Sequence, residues 1–151
     1  MPILKMKKLI INELIKQNMT FPLTYGLSKA GLPLIVVKLF EQNICLMLDT
    51  GSNRNIIDQR IYDHFKDKLN QPETSSEVYT LNGVSSGTTI EIPFSFEEQD
   101  YTESFVCSEA AETFDKINEE SGIQIHGLLG NHFFLKHGWV LDFEQMTVYK
   151  P

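Results

Sequence analysis

The sequence predicts a mostly β domain, and three observations carry that expectation. Short apolar runs rich in Val, Ile and Phe recur along the chain, and they pair off around brief polar or glycine-bearing breaks. Helical spacing is confined to a few short stretches. The length, 151 residues, suits one domain with a sizeable core and leaves no room for two independent ones.

The body is expected to begin near Leu34. Leu34-Ile-Val-Val-Lys-Leu-Phe40 is β-branched, Glu41 to Asn43 is a polar break, and Ile44-Cys-Leu-Met-Leu48 is apolar again: a hairpin. The second run has no polar position, so both faces of that strand should be covered. Asp49 to Ser52 is a turn and Asn55 to Ile57 a brief strand. Gln59 to Leu69 carries Ile61, Phe65 and Leu69 at helical spacing and is expected as a short surface helix. Pro72 to Glu77 is expected as loop. Val78 to Leu81 and Thr88 to Ile92 then flank a polar tip, Asn82-Gly83-Val84-Ser85-Ser86-Gly87, as a second hairpin. Phe94 to Phe96 and Ser104 to Cys107 form a third around an acidic turn. Residues 109–122 are polar, with room for one helical turn. Asn131 to Lys136 starts a helix, and Trp139 to Tyr149 closes the chain as a last hairpin around Glu144-Gln145.

Upstream, residues 20–33 are punctuated by Pro22, Gly26, Gly31 and Pro33 and are expected as an irregular linker. The first nineteen residues place Ile3, Met6, Ile10 and Leu14 near one face of an amphipathic helix. Its lysines precede Leu9-Ile10-Ile11 as in a signal peptide, but Asn12, Glu13 and Lys16 interrupt the apolar run and no small-residue cleavage site follows. No stretch is apolar for long enough to cross a bilayer. A cytoplasmic location and no membrane partner are therefore expected. The division is 1–30 for the helix and linker and 31–151 for the domain.

Composition narrows the function classes. Apolar residues at 42% and charged residues at 22% are globular values. Thirteen basic and twenty acidic side chains give a net charge of −7, which argues against nucleic acid as a partner. Two cysteines, Cys45 and Cys107, are too few for a disulfide framework; reduced thiols are the expectation, with a single bridge left open. His64, His126, His132 and His137 lack metal-ligand spacing, so neither metal nor cofactor is expected. There is no Gly-x-Ser-x-Gly elbow, and Gly127 to Gly130 lacks the lysine of a phosphate loop. The phenylalanines at 94–105 and 133–134, and Trp139, are read as core or groove lining rather than stacking platforms.

The string with chemistry in it is Leu46-Met-Leu-Asp49-Thr50-Gly51-Ser52. A carboxylate follows directly on an apolar strand, in a tight turn. Gly51 lets backbone N–H groups approach that carboxylate closely, Ser52 can offer its hydroxyl to the outer oxygen, and Thr50 can turn its hydroxyl toward neighbouring backbone. On its own an Asp before Gly is ordinary turn chemistry. Here it follows five apolar residues and an upstream hairpin partner, and far downstream stands His126-Gly127-Leu128-Leu129-Gly130, leading into a helix-like segment.

With these residues in order, the chain resembles the retropepsin-like aspartic proteases, the retroviral type also found as bacterial and eukaryotic single domains. The resemblance runs from about Leu32 to Tyr149. It implies a closed β-barrel-like domain with a flap hairpin and short helices. Asp49-Thr50-Gly51-Ser52 matches the active-site loop, and residues 82–87 match the flap. Leu128, Leu129 and Gly130 match the second structural motif, which crosses beneath the active-site strand. One departure is clear. Many retroviral members have an acidic residue just beyond the active-site turn and an Arg after the second motif, paired near the dimer contact. Here those positions are Asn53 and Asn131 or His132.

The implied activity is aspartic endopeptidase. Hydrolysis by this route needs two carboxylates sharing one proton, one acting as base on a water between them and the other donating to the scissile carbonyl. Asp58, Asp63, Asp67, Asp100, Asp115 and Asp142 lack a following Thr/Ser-Gly, so the second aspartate must be Asp49 of a second copy in a homodimer. The resemblance further implies that Thr50 of each copy braces the opposite loop. The substrate is a polypeptide bound extended. The alternative is a catalytically silent domain of the same fold, used for dimerisation or peptide binding. Residues 1–19 carry a net +3 and the remainder −10, so the basic helix is expected to dock on the acidic body, extending the dimer interface or covering the cleft as a removable pro-segment, unless it is only a packing element.

Overall fold

The computed structural model describes residues 19–70, 74–80 and 83–151. The first part of the chain forms β1 (Met19–Pro22), α1 (Thr24–Ala30), β2 (Leu34–Leu39), β3 (Gln42–Leu48), β4 (Asn55–Asp58), α2 (Gln59–Phe65) and β5 (Thr74–Thr80). There follow β6 (Gly83–Phe96), β7 (Gln99–Ser108), α3 (Ala111–Ser121), β8 (Gly127–Leu129), α4 (Asn131–His137), β9 (Val140–Asp142) and β10 (Thr147–Lys150).

Period-two alternation places the barrel strands. β2 buries Ile35, Val37 and Leu39 and exposes Val36 and Lys38. β6 buries Ile90, Ile92, Phe94 and Phe96, and β7 buries Tyr101, Phe105 and Cys107. Each of these side chains removed from water contributes roughly 1.5–3 kcal/mol before the entropy of ordering is counted. The strands join in the order β2-β3-β8-β4-β7-β6, and β6 returns to β2 through Lys38 opposite Ser95, which closes six strands into a barrel. β5 extends from the outer edge of β6. Inside, Phe94, Tyr101, Phe105, Phe133 and Trp139 form a continuous aromatic cluster, with Phe133 and Trp139 rings 4.8 Å apart.

β3 is covered on both faces, as its uninterrupted apolar run requires. Ile44, Leu46 and Leu48 enter the barrel core, while Cys45 and Met47 pack outward against the cluster of Leu34, Phe114, Ile123 and Ile125. Cys45 and Cys107 are free thiols, and β8 and β4 lie between their strands. Burial pushes both thiols up to about 11.

Several expectations are corrected. Residues 20–33 are not an irregular linker: β1 pairs with β10, and α1 packs beside β2. Gly31 at φ 67° ends α1, with its N–H on the Leu27 carbonyl and that of Leu32 on Gly26; what reads as loop punctuation is a helix stop. Residues 109–122 hold three helical turns rather than one, because Phe114 and Ile117 share a face that seals the Leu34–Ile125 cluster. The helix at 59–69 ends at Phe65. The break in the first hairpin is Phe40-Glu41, starting one residue before the polar run and ending two before it does, with both residues at positive φ. The expected loop at 72–77 already belongs to β5 from Thr74 onward. The amphipathic helix expected over residues 1–19 lies outside the described residues apart from Met19. Among the described residues no helix is long and apolar enough to cross a membrane.

Candidate active site

Asp49 stands where β3 leaves the barrel. The N–H of Leu48 bonds to the Pro33 carbonyl at 2.9 Å and that of Asp49 to the Leu129 carbonyl at 2.9 Å, so the backbone is held from both sides up to the aspartate itself. The chain then turns. The Gly51 N–H donates to Asp49 Oδ1 at 2.9 Å, and the Ser52 N–H reaches the Asp49 carbonyl at 3.3 Å. A carboxylate with one oxygen held by a backbone N–H is restrained in orientation, as positioned proton-transfer chemistry requires. Asp49 is half-buried, while Thr50 and Gly51 are exposed.

Ser52 differs from expectation. It is 1% exposed, and its hydroxyl donates to the Arg54 carbonyl at 2.8 Å rather than to the Asp49 carboxylate. Its carbonyl accepts the Asn131 N–H at 2.7 Å. Ser52 therefore ties the loop to the start of α4.

The second motif lies directly beneath. β8 runs parallel to β3, with Leu46, Met47 and Leu48 opposite Gly127, Leu128 and Leu129, and antiparallel to β4. Gly130 closes the contact: a Cβ there would meet the Arg54 carbonyl oxygen at 2.4 Å and that of Ser52 at 2.8 Å. No side chain fits between two backbone segments so close. Leu128, Leu129 and Gly130 thus brace the aspartate loop from below.

The sequence reading missed Asn55. Buried at the start of β4, its side chain accepts from the Gly130 N–H at 2.9 Å and donates to the Ser104 carbonyl at 3.1 Å. One amide links β4, β7 and the second motif. The available signal was a polar residue opening the otherwise apolar run Asn55-Ile56-Ile57.

The hairpin read as the flap is β5–β6. Pairing continues from Thr74 opposite Thr89 to Thr80 opposite Gly83, so residues 83–87 stand in strand β6 instead of forming a six-residue tip. Asn82 lies outside the described residues. Gly87 answers a close approach: a Cβ there would meet the Cys107 carbonyl oxygen at 2.3 Å.

Four of the other aspartates have other engagements. Asp58 is buried and caps α2 through the Arg60 N–H at 2.9 Å, and the Arg60 guanidinium joins it to Asp115 on α3. Asp63 accepts from Gln59, and Asp142 from the Gln145 N–H in the β9–β10 turn. His126 serves backbone pairing: its Nδ1 accepts the Cys45 N–H at 3.0 Å and its own N–H donates to the Cys45 carbonyl. Burial is the largest cause holding its pKa below the ordinary value; Arg60 adds to this and Asp58 opposes it.

Among solved structures similar to this chain is the crystal structure of the retroviral protease-like domain of Ddi1 from Leishmania major. Its TM-score is 0.45 at 7% sequence identity, covering 75% of this chain and 82% of that one. No protein-family model matches the chain, and no curated protein sequence matches it.

Proposed function

We propose that this chain is a retropepsin-like aspartic endopeptidase that works as a homodimer, with Asp49 of each copy forming the catalytic pair. The observation that carries the reading is the Asp49 loop itself. A carboxylate at the mouth of a barrel strand is fixed by the Gly51 N–H and braced from beneath by Ser52, Asn55 and Gly130. An Asp that accepts the N–H two residues on is ordinary turn chemistry; what goes beyond a turn is the parallel strand β8 laid against β3 and Gly130 packed against the loop's own backbone.

Each chain offers one such aspartate, and a water-activating pair requires two. A two-fold axis through the loops supplies the second. Two carboxylates so close share one proton. The ionised member takes a proton from the water between them as its oxygen attacks the peptide carbon. The protonated member donates to the carbonyl oxygen. Collapse of the tetrahedral intermediate returns a proton to the leaving nitrogen, and no covalent enzyme intermediate forms. The pair titrates as a unit. The β5–β6 hairpin provides a cover that opens for an extended polypeptide and closes over it. Asn53 and Asn131 or His132 stand where retroviral members carry the charged pair, so neutral hydrogen bonding takes over that part of the dimer contact.

Asp49→Asn tests this. The amide is nearly isosteric but neither accepts the water's proton nor shares one. Cleavage of an unfolded protein at mildly acidic pH should fall by at least about a thousand-fold, while sedimentation reports an unchanged dimer. Cleavage near the wild-type rate would remove Asp49 from the chemistry. A wild-type dimer that binds peptides without cutting them would favour the silent reading.

A further inference from the structure

Glu103 breaks the alternation of β7. Tyr101, Glu103 and Phe105 all occupy the inward register, and only Glu103 is charged there, at 8% exposure. Its carboxylate is held by Lys136 Nζ at 3.2 Å from each oxygen and by His137 Nε2 at 2.6 Å. It sits beside a cavity of about 340 Å3 lined by Arg54, Asn55, Glu103, His132, Phe133 and Lys136, among others. Asn55 and Glu103 are two of the four buried polar side chains among the described residues. A small cavity with convergent polar groups beside a candidate active site is where a ligand group is expected to bind.

The charge of that group follows from the balance of the lining. Glu103 is already satisfied by Lys136 and His137. Arg54 is exposed, and among the described residues no carboxylate pairs with its guanidinium. Arg54 and Lys136 against Glu103 leave the cavity with a net positive charge. Arg54 is also tied to the aspartate loop, since its carbonyl accepts the Ser52 hydroxyl and its N–H reaches Ser52 Oγ at 3.4 Å. It lies five positions after Asp49. Fully extended backbone covers at most about 3.5 Å per residue, so the cavity lies within roughly five substrate residues of a scissile bond at Asp49.

Resting on the endopeptidase reading, we propose that this cavity is a specificity subsite for an acidic side chain of the polypeptide substrate, with Arg54 as the residue that selects it. An Asp or Glu carboxylate entering there meets the Arg54 guanidinium with the Lys136 ammonium behind it. A neutral isostere leaves that charge unanswered. Hydrogen bonds to charged groups contribute about 1.5–3 kcal/mol, so discrimination of about ten-fold or more over Gln or Asn is expected.

The test is a cleavage-site profile of the full chain on an unfolded peptide library, read by mass spectrometry for wild type, Arg54→Gln and Arg54→Glu. Circular dichroism and sedimentation first confirm that each variant keeps fold and assembly, as an exposed position should allow. The wild type should enrich Asp or Glu about ten-fold at one fixed position within five residues of the cut. Arg54→Gln should lose that enrichment, and Arg54→Glu should replace it with Lys or Arg. A wild-type profile indifferent to charge, or an acidic preference that survives in both variants, overturns the proposal. If the wild type cuts nothing, the endopeptidase reading fails by itself, and the subsite is read by binding. Acetyl-Ala-Glu-Ala-amide titrated into the isotope-labelled chain should then shift Arg54, Asn55 and His132 resonances saturably. Its Gln counterpart should not, and equal responses to both peptides overturn the anionic subsite.

Discussion

His126 shows how one side chain can stand in for backbone. Its Nδ1 takes the Cys45 N–H, so the ring must be neutral with its proton on Nε2. The same residue leads into Gly127-Leu128-Leu129, so its state bears on the support beneath Asp49. Its pKa is depressed below the ordinary 6.5, chiefly by burial. A depressed value in the folded state means that the stability His126 contributes is present above about pH 6.5 and is lost as pH falls through the folded value. The urea midpoint should therefore drop between pH 7 and pH 5. In His126→Asn the side-chain oxygen keeps an acceptor near Nδ1 and cannot titrate, so its midpoint should fall less over the same range. Equal falls in both proteins would remove His126 from the acid sensitivity. The neighbouring residues carry similar constraints in neutral form. Asn55 and Gly130 were chosen by distance and hydrogen bonding, with no titration involved.

At the scale of elements, two hairpins are closed by residues poorly suited to their turns. Phe40-Glu41 and Glu97-Glu98 are two-residue loops, and all four residues have positive φ, from 47° to 67°. That geometry matches the twist of the flanking strands, and Asn-Gly is the pair that adopts it with least strain. The double substitution Glu97→Asn, Glu98→Gly should raise stability by about 1 kcal/mol, since each left-handed residue with a Cβ costs about that much. Chemical denaturation would show it as a higher midpoint at constant slope; an unchanged or lower midpoint would mean that the glutamates contribute contacts of their own. The helices are governed differently. α3 exists because Phe114 and Ile117 close a satellite core over β3, and its αL cap at Gly122 gives it a clean end.

For the whole molecule, the hydrophobic core is completed by residues outside the segment that carries the motifs. Leu23 is fully buried, its N–H donates to the Met146 carbonyl, and Met19 belongs to the main core. β1 adds four residue pairs to β10. A chain beginning at residue 31, the boundary suggested by composition, should lose several kcal/mol of stability and show fast hydrogen exchange in β10. Thermal unfolding of that truncation beside the full chain checks this; equal melting temperatures would restore the earlier boundary.

The sequence by itself determined most strands of the barrel and the place of the aspartate, because period-two alternation, turn residues and a short motif are local properties; it did not mark β8 as a strand, and it divided between two hairpins the single strand β6 that runs from Gly83 to Phe96. Leu46 to Ser52 and Leu128 to Gly130 could be picked out that way, and the structure sets them side by side. Only the tertiary structure decided what surrounds them. Asn55, Glu103 and His126 acquire their roles from partners 49 residues away, 33 and 34 residues away, and 81 residues away. A single polar residue in a strand carries no local mark of whether it will meet water or a buried N–H. Helices α1 and α3 were hidden for the same reason. Each has too few apolar residues to announce a helical face, and each is made worthwhile by burial against strands that lie elsewhere in the chain.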